Sequence, residues 1–183
     1  MPMNTRVQMP FPPYFAPADY PPPILDIEAS GFGLGSYPIE VGIVMPDGRS
    51  WCSLVKPEPE WQHWDPSAAA VHHITRDQLD KHGRSALEVA DALNDWLQGM
   101  VVYTDAWAHD YTWLNRLFDA ANRTPHFKLD NMRALLSDSE ADNWHELKRQ
   151  VALGMILQRH RASSDARLLQ STLKALKQQP AAA

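Results

Sequence analysis

A mixed α/β sheet of five strands flanked by helices is the fold class this sequence predicts, on three observations. Three apolar, strand-like runs come first, joined by short loops as in an antiparallel meander. Two further strand-like runs then alternate with helical periodicity, the pattern by which a chain extends a sheet through crossovers. With 183 residues and 44% hydrophobic side chains, the chain has ample material for one core.

The elements follow in order. Residues 1–22 read as a proline-rich arm, the stretch 1–23 holding eight of the fifteen prolines and little periodic pattern. Its aromatics Phe11, Tyr14, Phe15 and Tyr20 leave open whether it packs along the domain or against a partner. The domain spans 23–178, and 179–183 form a tail. Strands are expected at about 23–29, 38–46 and 49–56, joined by the loop Gly31-Phe32-Gly33-Leu34-Gly35 and a turn at Pro46-Asp47-Gly48. Helices are expected near 66–72, 75–81 and 85–98, a fourth strand at 100–105 and a helix at 108–122. A short fifth strand, Phe127–Asp130, should precede helices at 130–137, 142–156 and 164–178. Ser163 and Ser164 are good caps for the last helix, whose first turn would carry Asp165.

Composition narrows the function. The net charge of −5 argues against a broad basic surface for long duplexes, since nonspecific affinity comes from Lys and Arg against phosphate. It leaves room for an enzyme that grips a few nucleotides through metal ions. One cysteine, Cys52, allows no internal disulfide and fits a reducing compartment. No apolar run has membrane length and no signal peptide is evident, so a cytoplasmic protein without a membrane partner is expected.

The chemistry is carried by four short stretches. In Ile24-Leu25-Asp26-Ile27-Glu28, alternation puts Asp26 and Glu28 on one face of a strand, about 7 Å apart along the chain. Two carboxylates so placed repel unless a cation lies between them; a strand edge dipping into solvent is the bland reading of an isolated D-x-E. Asp110 follows at the start of a helix, and His160-Arg161-Ala162-Ser163-Ser164-Asp165-Ala166 leads into the last one. Five-residue spacing does not put His160 and Asp165 on one helical face, so the loop must bring the histidine round. The glycines of 31–35 do not form a dinucleotide fingerprint. Ser36 stands where the third Gly would be needed, and a strand, not a helix, follows.

Together, D-x-E, the central Asp110 and H-x-A-x-x-D-A resemble the three motifs of the DEDDh 3′→5′ exonucleases. That family includes ribonuclease T, oligoribonuclease and the proofreading subunit of bacterial DNA polymerase III. The resemblance runs from about residue 23 to 176. It includes DIEASGFG followed by YPIEVGIV, His72-x-Ile74-Thr75, and Asp110 with Trp113 and Leu114. This chain has Ser30 and Phe32 where relatives usually have Thr and Leu. Thr104-Asp105 and His109 stand where a His-Asn pair and a Phe are common.

The resemblance implies a ribonuclease-H-like fold and single-stranded DNA or RNA 3′ ends as substrate, released as nucleoside 5′-monophosphates; a homodimer is compatible with it. Asp26, Glu28, Asp110 and Asp165 offer hard oxygen ligands, which suit two Mg²⁺ or Mn²⁺ ions better than zinc. Asp26 would bridge both ions, Glu28 and Asp165 would hold the one carrying water, and Asp110 the one beside the leaving group. His160 would take the water's proton, a task suited to imidazole near neutral pH. Gly31 would allow close approach of substrate, and Phe32 would either stack on a base or pack beneath the glycine loop. Asp105 is a rival acid, read here as an outer acceptor or a helix cap. His63, His82, His126 and His145 read as surface residues, whereas His72 and His73 pack or line the cleft. Other readings are a binding module that keeps the fold without turnover, and an adaptor built on the proline arm.

Overall fold

The computed structural model describes residues 21–155 and 160–178. The tail 179–183 and the arm, apart from Pro21 and Pro22, lie outside the described residues. Five strands form one sheet in the order β3-β2-β1-β4-β5. Strands β1 (Ile24–Ala29), β2 (Pro38–Val44) and β3 (Ser50–Leu54) make the antiparallel meander. Strands β4 (Val101–Thr104) and β5 (Lys128–Asn131) add in parallel on the other side of β1. Helices α1 (Pro66–His72), α2 (Arg76–His82) and α3 (Ala86–Leu97) lie between β3 and β4. Helix α4 (Trp107–Ala120) makes the β4–β5 crossover, and α5 (Asp138–Gly154) and α6 (Ala162–Lys177) close the chain.

The alternation of β1 decides what each face of the sheet carries. Leu25, Ile27 and Ala29 join Ile39, Val41 and Ile43 of β2 in the larger core, beneath Leu93 and Leu97 of α3 and Leu114 and Leu117 of α4. Ile24 points the other way, into a smaller cluster with Val44, Trp144 of α5, and Leu169 and Leu173 of α6. Asp26 and Glu28 share that second face, and their partners across the ladder are Gly42 and Glu40.

Gly42 sets how α6 arrives. A Cβ built on it would lie 2.2 Å from the Ser163 amide nitrogen and 2.3 Å from the Ala162 carbonyl carbon. The backbone at the start of α6 rests directly on the strand there, and only a residue without a side chain permits it.

Two boundaries differ from the sequence expectation. Residues 130–137 are not a helix. Lys128–Asn131 pair with Val101–Thr104 as the fifth strand, and only a 3-10 turn, Met132–Leu135, follows. The Asn131 side chain accepts from the Arg133 amide and ends the strand. Helix α5 then starts afresh at a capping box, in which Ser137 and Glu140 exchange side-chain and backbone bonds. Likewise, α6 begins at Ala162, so Ser163 and Ser164 sit inside its first turn and cap nothing. Among the described residues no helix is long and apolar enough to cross a membrane.

Candidate active site

Three segments bring the four predicted carboxylates to one end of the sheet. Asp26 and Glu28 stand half-buried on β1, and Asp165 comes from the first turn of α6. Asp110, in the first turn of α4, is buried to 1% exposure. Its carboxylate accepts from the Thr104 hydroxyl at the end of β4. His160 sits just ahead of α6 with φ +59°, a left-handed conformation uncommon for a residue with a side chain. That turn does what the five-residue spacing required. One ligand atom each from Glu28, His160 and Asp165 lie within 4.8 Å of one another.

These groups line a cleft of about 240 Å³ with Asp26, Asp105 and Lys148. Its electrostatics are those of crowded acids. Burial, then the carboxylates of Asp110, Glu28, Asp165 and Asp105, hold Asp26 well above the usual carboxylate range. Burial and the charge of Asp165 push Glu28 up to about 7, against the pull of Arg161. Burial, with the charges of Asp105 and Glu28, pushes Asp110 up to about 8 despite the Thr104 hydrogen bond. Such a set cannot all ionise near neutral pH without cations among them, and its four carboxylates are hard oxygen donors of the kind Mg²⁺ or Mn²⁺ accepts, with the imidazole left beside them. The donor set fits the expected metal.

Sequence reasoning missed what holds the histidine. Glu40 of β2, 1% exposed, accepts two hydrogen bonds of 3.0 Å from Arg161 Nε and a further, shorter one from its terminal NH₂. Its Oε2 also accepts from the Ala162 amide at 2.8 Å. Arg161, the N-cap of α6, makes no side-chain cap of its own. An acid 121 residues upstream supplies it. Glu40 stands inside the apolar run Pro38–Val44; its one local signal is that a lone acid there must find a partner if buried.

Asp105 lines the cleft, but its carboxylate is bound by Lys148 of α5 at 2.7 Å. It does not cap α4, whose N-cap is Ala106. His72 is buried, its Nδ1 accepting from the Ile74 amide, and it packs edge-on to Trp64. His63 is not a plain surface residue: its Nδ1 meets the Ser30 hydroxyl at 3.1 Å.

The loop after β1 carries positive φ at Gly31, Gly33 and Gly35. At Gly31 there is no room for a Cβ, which would meet Asp65 Cβ at 2.5 Å. Phe32 is not packed beneath this loop: it is 66% exposed, edge-on to His109 at 5.0 Å between ring centroids.

With this geometry in place, the comparison with known families is direct. The RNase T exonuclease family model matches residues 24–171. This chain belongs to the RNase T exonuclease family. The matched span takes in both strand carboxylates, Asp110, His160 and Asp165. Among solved structures, the exonuclease domain is similar to Exonuclease I from Methylocaldum szegediense (TM-score 0.67, 13% identity, 87% of this chain and 41% of that one). It is also similar to E. coli Exonuclease I in complex with a dA16 oligonucleotide (TM-score 0.67, 14% identity, 85% and 40%). A third is the zinc-ion-bound form of the E. coli Exonuclease I complex with single-stranded DNA (TM-score 0.62, 13% identity, 85% and 39%). These likenesses show a shared fold, the mixed sheet and flanking helices of the ribonuclease-H-like exonucleases. The chain spans about two fifths of the length of those proteins. No curated protein matches it.

Proposed function

We propose that this nuclease is a divalent-metal-dependent 3′→5′ exonuclease that removes nucleoside 5′-monophosphates from single-stranded nucleic acid. One observation carries the reading: Asp26 and Glu28 of β1 and Asp165 of α6 line one cleft with His160, and Asp110 of α4 is close enough to act on Asp26, in a chain of the exonuclease family. Asp26, Glu28, Asp110 and Asp165 would hold the metal. Bound there, two Mg²⁺ or Mn²⁺ ions would supply an acidified water and neutralise charge on the scissile phosphate.

The chain's own residues do the rest. His160 takes a proton at an imidazole nitrogen from the attacking water. The new oxygen bonds to phosphorus, the P–O3′ bond breaks, and the shortened strand keeps its 3′ oxygen. Gly31 lets the loop turn against Asp65 and His63, and Phe32 beside it offers an exposed ring on which a base stacks. The solved complex of E. coli Exonuclease I with dA16 supports a single-stranded DNA substrate; RNA 3′ ends stay within the proposal.

The test uses matched DNA and RNA oligomers labelled at the 5′ end, with Mg²⁺ or Mn²⁺ and with chelator. A ladder shortening from the 3′ end, with 5′-monophosphates as product and abolished by chelation, is the expected result. Binding without cleavage in either metal would favour the binding-module reading.

A further inference from the structure

The acidic cleft contains an ammonium group that the proposed chemistry leaves without a task. Lys148, on α5, lines the same cleft as Asp26, Glu28, His160 and Asp165. Among the described residues that line it, Lys148 is the one ammonium or guanidinium group. Its Nζ lies 2.7 Å from Asp105 Oδ2, with side-chain exposures of 29% and 25%.

Asp105 is thereby committed. A carboxylate already neutralised by an ammonium is a poor competitor for a metal cation, whereas Asp26 and Asp110 have no such ion pair among the described residues. What the pairing does is stiffen a long, flexible lysine over the cleft. An ammonium has three donors and Asp105 takes one, which leaves donors for another anion.

The pair also stands at a junction. Asp105 walls a second cavity, of about 160 Å³, lined by Asn131, Arg133, Trp144 and His145 among others. On α5 the residues Ala141, His145 and Lys148 recur at four- and three-residue steps, so one helical face runs from this cavity to the catalytic cleft. The surface that starts at the carboxylates therefore passes Lys148 and leads on to Arg133 and His145.

We propose that Lys148, tethered by Asp105, binds a phosphate of the polynucleotide strand neighbouring the scissile one. The inference rests on the exonuclease reading above, and its ligand is a nonbridging phosphate oxygen of the bound strand. Lys148 is a binding residue; Asp105 positions it.

The test follows binding and cleavage of one 5′-labelled single-stranded oligonucleotide by the full chain, over a series of salt concentrations. For Lys148→Gln the expected result is a KM and a Kd raised by about 3–10-fold, with kcat within threefold. The slope of log affinity against log salt should fall by roughly 0.7–1, the loss of one phosphate contact. Lys148→Arg should restore most of the slope. Asp105→Asn should keep the slope, because the lysine remains, but raise KM by a few-fold, because the lysine loses its tether. An unchanged slope in Lys148→Gln, with KM within twofold of the parent, overturns the proposal. So does an Asp105→Asn variant that loses turnover while Lys148→Gln keeps it, since Asp105 would then be the working group. If the parent binds but cleaves in neither Mg²⁺ nor Mn²⁺, the exonuclease reading fails, while the salt slope still decides the role of Lys148.

Discussion

The Arg161 guanidinium lies across the buried carboxylate of Glu40, and the same carboxylate caps the Ala162 amide. His160, the residue immediately before, is thereby held at the mouth of the cleft in a left-handed conformation. The histidine's position thus depends on β2, a strand that contributes no group to the proposed chemistry. Charge-assisted bonds of this kind are stronger than neutral ones, and Glu40 makes several at once.

Removing Arg161 should therefore damage both stability and rate. Arg161→Ala leaves Glu40 buried without its cation, at a cost of about 2–4 kcal/mol after allowing for the guanidinium's partial exposure. Urea unfolding and kcat measured on one preparation check this. Arg161→Lys should recover part of the stability and less of the turnover, because an ammonium lacks the fixed planar fork of donors that the guanidinium presents to the carboxylate. A variant with parental kcat would show that the loop holds His160 without the pair.

Gly42→Ala places a methyl carbon 2.2 Å from backbone at the start of α6. The helix must lift, and Asp165 and His160 move with it. Overpacking of this kind costs roughly 1–3 kcal/mol. Turnover should fall by more than the folded fraction does, which circular dichroism and kinetics on the same sample separate.

The acids predict a pH response. Glu28 is raised from its ordinary 4.5 to about 7, and Asp110 from 3.8 to about 8. In the metal-free protein the folded state therefore binds more protons than the unfolded one between those limits. Their contribution to stability is present at pH 4 and is lost as pH rises toward 8. The melting temperature of metal-free protein should fall across that window. Mg²⁺ or Mn²⁺ should raise it more at pH 8 than at pH 5, since binding needs the ionised carboxylates. A metal-induced shift independent of pH would contradict the assignment.

Replacing the acids separates ligands from neighbours. Asp26→Asn and Asp110→Asn should abolish cleavage while raising the melting temperature of metal-free protein, because each removes a crowded, buried carboxylate. His160→Ala should lower kcat by roughly 10²–10⁴-fold and leave metal-induced stabilisation largely in place. Near-normal cleavage by Asp110→Asn would mean that another acid serves the second motif.

Phe32→Ala tests the exposed ring. With 66% of its surface in solvent, the side chain holds little of the fold together. The melting temperature should stay within a few degrees, and KM should rise for every oligonucleotide, whatever its sequence. Base stacking of about 1–3 kcal/mol sets the upper bound of that rise.

Local patterning determined much of this protein. Alternation in ILDIEA put Asp26 and Glu28 on one face; periodicity and caps located the strands and most helices within a few residues. The order of the acidic motifs was likewise readable, because each motif lies on one contiguous segment. What the chain could not show locally was decided by contacts between distant segments. Glu40, a lone acid in an apolar run, has no local partner; the ladder sets it opposite Glu28 and the chain returns 121 residues later with Arg161. The helix cap expected from Ser163 or Ser164 was displaced for the same reason: a buried carboxylate on another strand reached the α6 amide first. Asp105 was undecided for want of Lys148, which lies 43 residues further on. Side-chain direction along a strand follows from its own geometry; which charge meets which follows from register and helix docking, and those exist only in the folded chain.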